Sequence, residues 1–514
     1  MRRGVIAGTA AACLLLGAMP AASVGLPGGH IAWADVDNSW TSEAVTFDVN
    51  GDGRDDAIVA GGDRLQGYFG AVPGPPWFAA HMAHDTVRPQ QPRIKALDGL
   101  SGEPLWQVSL IETGESGPLA ARTEKRHIED LHLGDVDGDG DTDLLVLSTG
   151  YAFGTNRAPR QITTVYDPRS GKVVWERAVL ADSSAHYIHV RAYSPMVVEG
   201  KHYGVISQLT APQNSTFNAN VDVVAAPRNA PFEQVASLAV QDGITDALVH
   251  QIDGKPRIFL FNHHRVNTPS DDARMRIRAL DVTPAATGLQ FSERWNRKSL
   301  VSSGYGTLGL PSYVIDGPRP LLVTGENSLM ARDALTGEPL WRSESAWLVN
   351  GMGDAVLHDV NRDGTDDMVI ASGTVWFTDP PAYQYSPTIT AVNGKDGTLL
   401  WKRADHVGET DMLAVTKADI DGDGQVEAIA SMYHRDMDRN WTSSTEDPGL
   451  IGVYDIATGA QKCRFSMDRM VWALDTGRMD AAAGQEILAP TVAGTTFAFR
   501  AAQPGCGVLA NGPS

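Results

Sequence analysis

A nine-residue acidic pattern occurs four times in the chain, each time directly before a short apolar run. In the clearest copy, DVDGDGDTD precedes LLVLS, so carboxylates occupy positions 1, 3, 5 and 9, and a glycine follows the third. Alternating carboxylates on a tight turn bring their oxygens together, and the carbonyl of Asp141 at position 7 can join them. An oxygen-only ligand set suits a hard cation, and calcium is the first choice. The predicted ligands are Asp48, Asn50, Asp52, Asp56, Asp135, Asp137, Asp139, Asp143, Asp359, Asn361, Asp363, Asp367, Asp419, Asp421, Asp423 and Glu427.

These loops differ from EF-hands, because the last carboxylate stands at position 9 rather than 12 and a predicted β-strand follows. A single loop of this kind could be an Asx-rich turn without a metal. Four copies with the same spacing and the same following strand favour calcium. We therefore expect about four calcium ions, which fold loops and take no part in chemistry.

The first 22 residues have the three parts of a secretory signal. Arg2 and Arg3 give a basic start, an apolar run follows, and small residues form the exit. No later segment is apolar over the ~18 residues that a membrane span needs. We expect residues 23–514 to form one secreted or periplasmic domain, monomeric and without a membrane span.

The chain is acidic, with a formal net charge of −20 that becomes −22 when Arg2 and Arg3 are removed. The four loops hold 14 of the carboxylates, and the remaining acidity still disfavours nucleic acid or anionic membranes as partners. Only Cys463 and Cys506 lie beyond the signal. In an exported protein they could form a disulfide, and two free buried thiols are the alternative.

A second repeat predicts β-hairpins. In each copy a short strand ends in Asp or Asn, a turn ends in Gly, and a second strand carries Trp eight residues after the Asp or Asn. The glycine supplies the positive φ that such a turn needs. Cys463 occupies the Trp position of a further copy, and residues 279–291 form a copy with a lengthened turn. The Asp/Asn and Trp pairs are Asp98 and Trp106, Asp167 and Trp175, Asp333 and Trp341, and Asn393 and Trp401.

Together the two repeats predict a four-stranded unit: strand A, acidic loop, strand B, variable loop, strand C, tight turn, and strand D with Trp. Such units, repeated every ~45–60 residues, are typical of β-propeller blades. Three units between the second and third acidic loops, and one after the fourth, have only a short or degenerate turn. We predict an all-β protein with eight blades. Seven is the alternative, should the strand near residues 30–35 complete the last blade.

The Trp repeat resembles the tryptophan-docking motif of quinoprotein dehydrogenase propellers, whose blades interlock through their indoles. The acidic loops resemble the FG-GAP/VCBS repeats of integrin-α-type propellers, and eight-bladed rhamnogalacturonan lyases also carry DxDxDG loops. These resemblances imply the fold across nearly the whole mature chain. The chain has neither an adjacent cysteine pair nor a CxxCH motif, so the resemblance does not extend to PQQ or haem chemistry.

The strand order divides the connections between two faces. The A–B loops and C–D turns share one face, and the B–C and D–A connections, including every long insertion, share the other. Aromatic residues on the second face could stack on sugar rings, or could pack the long loops against one another. The candidate ligand-binding residues are Trp77, Tyr151, Trp376, Tyr383, Tyr385 and Trp441.

Acids and histidines near the start of several A strands should line the mouth of the central channel. They could bind an additional transition metal, act as a general acid–base set, or form a solvated polar ring. The candidate catalytic residues are His127, Glu129, Asp130, His186, His189, Asp354, His406 and Asp411.

Two functions are compatible with these features. The first is a non-catalytic protein that binds an extracellular glycan or protein on its long-loop face. The alternative is a secreted enzyme with its active site at the channel mouth, either a glycan lyase or hydrolase or a metal-dependent oxidoreductase. The absence of a specific catalytic motif favours binding.

Overall fold

The computed structural model of the protein is all-β in the part that it describes, and its strands form eight antiparallel blades around a central axis. Within that part, no helix is long and apolar enough to cross a membrane. The described residues are 31–36, 40–62, 93–113, 123–152, 160–180, 185–212, 218–240, 244–263, 276–286, 288–298, 312–325, 328–347, 353–372, 375–378, 382–385, 388–404, 410–434, 449–467, 471, 473–491 and 495–500.

Blades 1 to 4 follow an N-terminal strand, β1 (Ile31–Val36). Blade 1 consists of β2 (Trp40–Phe47), β3 (Asp56–Gly62), β4 (Arg93–Leu97) and β5 (Pro104–Ser109). Blade 2 consists of a short edge strand β6 (Ile111–Thr113), β7 (Thr123–Gly134), β8 (Asp143–Ala152), β9 (Arg160–Asp167) and β10 (Lys172–Leu180). Blade 3 consists of β11 (Ala185–Val198), β12 (Lys201–Pro212), β13 (Asn218–Ala225) and β14 (Glu233–Val240). Blade 4 consists of β15 (Ile244–Ile252), β16 (Lys255–His263), β17 (Arg276–Ala285) and β18 (Gly288–Lys298).

Blades 5 to 8 follow the same plan. Blade 5 consists of β19 (Ser312–Ile315), β20 (Leu321–Gly325), β21 (Ser328–Asp333) and β22 (Pro339–Trp347). Blade 6 consists of β23 (Gly353–His358), β24 (Asp367–Ser372), β27 (Thr388–Val392) and β28 (Leu399–Arg403), with the hairpin β25 (Val375–Thr378) and β26 (Ala382–Tyr385) between β24 and β27. Blade 7 consists of β29 (Thr410–Ala418), β30 (Glu427–His434), β31 (Gly449–Asp455) and β32 (Gln461–Ser466). Blade 8 consists of β33 (Asp475–Gly477), β34 (Glu486–Pro490) and β35 (Thr495–Phe499), together with β1.

The eight-blade prediction is confirmed, and the N-terminal strand explains how the ring closes. Strand β1 pairs antiparallel with β35, with Ala34 opposite Phe497. Blade 8 supplies only three strands of its own, so β1 becomes its outer strand and adds no ninth blade. The first strands of blades 1 and 8, β2 and β33, lie against each other on the channel side. The first and last parts of the chain therefore hold the ring together.

Two of the blades without an acidic loop turn from strand A to strand B through two residues. In blade 3 these residues are Glu199 and Gly200, and in blade 4 they are Asp253 and Gly254, all with positive φ between 49° and 73°. Two positive φ values in succession define the type I′ turn that suits a twisted hairpin. The turns predicted in place of an acidic loop are therefore present.

Tryptophans join neighbouring blades. The indole of Trp106 donates to the carbonyl of Pro168 in the next blade (2.9 Å), and that of Trp401 donates to Ile456 (2.9 Å). Each indole also covers the turn glycine of the next blade, because a Cβ built on Gly459 would lie 2.5 Å from the ring of Trp401. Trp341 docks on blade 6 in the same way, through the carbonyl of Gly394.

Two further tryptophans have this role and were not predicted. Trp33 of β1 docks on Gly99 of blade 1, and Trp295 of β18 docks on Ala334 of blade 5. Trp175 departs from the plan, since its indole Nε1 is buried without a hydrogen-bond partner among the described residues. Its ring packs against Phe232 at 4.6 Å.

Cys463 is disulfide-bonded, which is one of the two alternatives that the sequence left open for it. The other two cysteines, Cys13 and Cys506, lie outside the described residues. In the register of β31 and β32, Cys463 lies opposite Val453, where a tryptophan stands opposite a small residue in other blades, as Trp401 does opposite Ala391. A covalent bond thus occupies the position of a docking indole in blade 7.

Candidate metal sites and the opposite face

The four acidic loops fold through the same set of local hydrogen bonds. The position-1 carboxylate accepts from the amide at position 6, as Asp48 does from Gly53 (3.1 Å) and Asp419 from Gly424 (2.9 Å). The oxygens at positions 3 and 5 each accept from the amide two residues later. Positive φ at positions 4 and 6 turns these amides inward, and Arg362 adopts it at 60° without being glycine. The spacing seen in the sequence thus specifies one loop geometry.

The carboxylate at position 9 is buried and fixes the loop to its own blade. Asp56 accepts from the amide of Val49 (3.0 Å) with one oxygen and from the amide of Gly99 in the C–D turn (2.8 Å) with the other. Asp367 makes the equivalent bond to Gly394. These bonds confirm that A–B loops and C–D turns share a face. Burial raises the pKa of both carboxyls, although their hydrogen bonds oppose this shift.

Two of the loops bring at least three acidic side chains close enough to hold a metal ion. In each, the carboxylate atoms of positions 1, 3 and 9 lie within 4.8 Å of one another. Burial, together with the negative charges of the surrounding loop carboxylates, raises the pKa of Asp143 to about 6. Crowded, partly buried carboxylates of this kind fit a hard divalent cation, which would offset their repulsion. The two clusters are Asp135, Asp137 and Asp143, and Asp419, Asp421 and Glu427.

Three of the four acidic loops are also touched by the following blade. Arg169 of blade 2 donates to the carbonyl of Asp48 (3.2 Å) and lies over the Phe47 ring. Asn229 of blade 3 donates its amide to Asp137 (2.5 Å). In blade 8, Gln485 donates its amide to the carbonyl of Asp419 (2.9 Å) in blade 7. An ordered acidic loop therefore supports the contact with the next blade as well as its own turn.

Two of the blades that lack an acidic loop place a basic side chain at this face instead. Arg257 pairs with Asp281 (2.7 Å) in blade 4, and Arg319 pairs with Asp333 (2.7 Å) in blade 5. Burial alone would raise the pKa of Asp281, but the guanidinium groups beside it lower that pKa. The degenerate loop of blade 8 keeps the position-9 bond, from the amide of Met479 to Glu486 (2.8 Å), and the position-3 bond, from the amide of Ala482 to Asp480 (2.6 Å).

The sequence did not identify Lys462, which lies inside the acidic loop of its own blade. Its ammonium Nζ is 2.5 Å from Glu427, 3.1 Å from Asp421 and 3.7 Å from Asp423. In the sequence, the feature that could have identified Lys462 is its position directly before Cys463, and Cys463 occupies the Trp position of blade 7.

Titration of Asp143 predicts how the metal-free protein responds to pH. Its folded pKa is raised from 3.8 to about 6, so the folded chain binds the proton more tightly than the unfolded chain. Without metal, we expect this group to favour folding at about pH 4 and to lose that contribution as the pH rises through about 6. Melting curves in chelator should show a smaller decline with pH for Asp143→Asn than for the wild type. Equal declines would contradict the assignment.

Most of the predicted ligand-binding face lies outside the described residues, and this includes Trp77 and Trp441. Tyr151 lies on β8, and Trp376, Tyr383 and Tyr385 lie on the β25–β26 hairpin. This hairpin emerges between strands B and C of blade 6 and forms a two-stranded sheet of its own. It therefore lies on the face opposite the acidic loops, where the sequence had assigned it.

The candidate catalytic residues lie on A strands, apart from His406, which is outside the described residues. The strands that carry them lie side by side, because β7 contacts β11 and β23 contacts β29. Asp130 accepts the amide of Tyr193 in the next blade (3.1 Å), which is a structural contact between blades. The positions are His127, Glu129 and Asp130 on β7, His186 and His189 on β11, Asp354 on β23, and Asp411 on β29.

Comparison with known proteins agrees with this architecture. A family model described as outer membrane protein assembly factor BamB matches residues 274–431. No curated protein matches the chain at a significant level. The fold is that of a β-propeller of the quinoprotein type.

Solved structures share the fold at low sequence identity. A europium-containing methanol dehydrogenase is 11% identical with a TM-score of 0.50, over 89% of this chain and 84% of that one. The quinohemoprotein alcohol dehydrogenase from Comamonas testosteroni is 13% identical with a TM-score of 0.50, over 94% of this chain and 77% of that one. BamB from Moraxella catarrhalis is 14% identical with a TM-score of 0.42, over 90% of this chain and 99% of that one.

Proposed function

We propose that this chain is an exported, calcium-stabilised propeller of one domain, residues 23–514, that binds an extracellular glycan or protein on the face opposite its acidic loops. The observation that carries the proposal is the placement of the long connections. The three longest B–C connections, 63–92, 373–387 and 435–448, all belong to blades with an acidic loop. A cation at one end of each of these blades would stiffen the scaffold that presents loops at the other end.

Calcium is the ion that the loops fit best. Their side chains offer only carboxylate and amide oxygens, and the shared hydrogen bonds hold these oxygens on one turn. Flexible, oxygen-rich coordination is what calcium prefers, and it is plentiful outside cells, where the basic and apolar first 22 residues would direct the chain. The resemblance to FG-GAP/VCBS loops supports the same ion.

The long-loop face suits a carbohydrate surface. The β25–β26 hairpin has the sequence VWFT and AYQY in its two strands, and Phe377 pairs with Tyr383 in its register. Aromatic rings bury the apolar faces of sugars while polar groups accept and donate to their hydroxyls. The fold gives this hairpin no pairing partner among the blade strands of the described chain.

A secreted enzyme is the second candidate. The observation that favours it is the contact between β7 and β11, which brings the backbones that carry His127 and His186 to neighbouring positions around the channel. Such a ring could hold an additional transition metal for an oxidoreductase, or an acid–base set for a glycan lyase or hydrolase. Stoichiometric zinc, copper or iron in the purified protein would favour this candidate.

The binding proposal predicts the effect of a double substitution in the hairpin. Replacing Trp376 and Tyr385 by Ala should weaken retention on a polysaccharide bound by the wild type by about 30-fold, since two aromatic stacks are lost and each is worth about 1 kcal/mol. The melting temperature should stay within a few degrees. Affinity electrophoresis across a panel of plant and bacterial-envelope polysaccharides is the measurement.

The matched control is Leu100→Ala, which removes an exposed apolar side chain (46% exposed) from a C–D turn on the acidic-loop face. This variant should bind the same polysaccharide as well as the wild type does. Equal loss of retention in both variants would overturn the assignment of the face. A large loss of stability in the hairpin variant would show that these aromatic residues are part of the loop core.

A further inference from the structure

Among the described residues, the acidic loop of blade 7 differs from the other three because a basic side chain contacts its carboxylates. The ammonium of Lys462 touches the carboxylates of positions 3, 5 and 9, at 3.1, 3.7 and 2.5 Å. These alternating side chains are the ones that converge on a bound ion in a loop of this spacing. Lys462 thus contacts the oxygens that a cation would use.

The equivalent position is apolar in the other three loop-bearing blades. Lys462 directly precedes Cys463. Cys463 lies opposite Val453 and stands where other blades have a docking tryptophan. By the same register, the residue before Trp106 is Leu105, which is 38% exposed. The corresponding residues of blades 2 and 6 are Val174 and Leu400. A cation at this position of the strand is therefore particular to blade 7 among the four.

Within the described contacts of blade 7, the position-9 carboxylate also lacks the hydrogen bond that it accepts from a turn amide in blades 1 and 6. In blades 1 and 6, a glycine follows the Asp or Asn of the hairpin repeat. The amide of this glycine donates a hydrogen bond to Asp56 in blade 1 and to Asp367 in blade 6. In blade 7 the residue in this place is Ile456, and the free oxygen of Glu427 accepts from Lys462 instead. The lysine thus satisfies a buried carboxylate that would otherwise need another donor.

The molecule uses the same solution in blades without an acidic loop. Basic side chains meet single acids at this face in three other blades, through Arg257 and Asp281, Arg319 and Asp333, and Arg500 and Asp480, each at 2.7 Å.

We propose that Lys462 is the built-in cation of the blade 7 loop, so that this loop binds calcium far more weakly than the loops of blades 1, 2 and 6. The inference rests on the proposed calcium function of those three loops and lowers the expected count from four to three. Calcium could bind in this loop only after the ammonium of Lys462 moves away. Lys462 would then lose its three carboxylate contacts.

The test compares calcium counts in the wild type and in Lys462→Met. Each protein is dialysed to equilibrium against calcium at about ten times the dissociation constant of the wild-type sites, and bound calcium is counted by mass spectrometry. We expect three ions in the wild type and four in Lys462→Met. The matched control is Lys255→Met, which removes an exposed lysine from blade 4, a blade without an acidic loop; it should bind three.

A reciprocal variant keeps the proposal testable if Lys462→Met fails to fold. Leu105→Lys places an ammonium at the equivalent position of blade 1 and should lower the count from three to two. Four ions in the wild type, or three in both the wild type and Lys462→Met, would overturn the role of Lys462 and leave the calcium function intact. No calcium in any variant would overturn both.

Discussion

Removing calcium will lower the melting temperature of this protein by on the order of 10 °C or more. An ion at a thousand times its dissociation constant adds about 4 kcal/mol for each site, and we expect three such sites. Loss of the ions also leaves partly buried carboxylates side by side, Asp143 with Asp135 and Asp137 among them. Because the next blade touches three of the four loops, as Arg169 touches Asp48, loss of order in these loops should also weaken the contacts between blades.

Scanning calorimetry with excess EGTA, and again with EGTA saturated by calcium, measures this effect. The triple variant Asp56→Asn, Asp143→Asn and Asp367→Asn should lose the response to chelator. Glu486→Gln, in the degenerate loop of blade 8, should keep it. A wild-type melting curve that EGTA leaves unchanged would contradict calcium in the loops.

The second large effect concerns the tryptophan joints. Gly397→Ala should destabilise the protein by about 3 kcal/mol or more, because two penalties add. Gly397 has a φ of 75°, which costs an alanine about 1–2 kcal/mol. Its new Cβ would also lie 2.5 Å from the ring of Trp341, so the indole would have to leave its packed position. Urea unfolding gives the change in midpoint.

Gly288→Ala is the matched control for this substitution. Gly288 has a φ of 94° in a C–D turn, but no atom lies within 4 Å of the Cβ that alanine would add. It should therefore cost only the backbone penalty of about 1–2 kcal/mol. Equal shifts for the two variants would show that the indole contact contributes little to the joint between blades 5 and 6.

Much of the fold could be predicted because both repeats are local. An acidic loop and the strand after it occupy about 15 consecutive residues, and a hairpin with its tryptophan occupies about 10, so each is visible as a spacing. Trp295 was missed because a lengthened turn places it 14 residues after Asp281 instead of eight. Trp33 was missed because it belongs to blade 8 through the pairing of β1 with β35, although the other strands of this blade lie at the opposite end of the chain.

The candidate site was predictable to a smaller extent. The hydrogen bonds inside each loop join residues at most seven apart, so the pattern specifies them. Lys462 reaches Glu427 from 35 residues away, and Asn229 reaches Asp137 from 92 away. Such contacts depend on how strands and blades pack against one another. The spacing of residues within a repeat does not show which distant residues come into contact.

Elemental analysis of the protein, purified without chelator, tests the proposed calcium-stabilised propeller most directly. We expect three calcium ions for each chain and no transition metal in stoichiometric amount. A protein that contains no calcium, yet folds and melts like the calcium-supplemented sample, would contradict the central role assigned to the acidic loops.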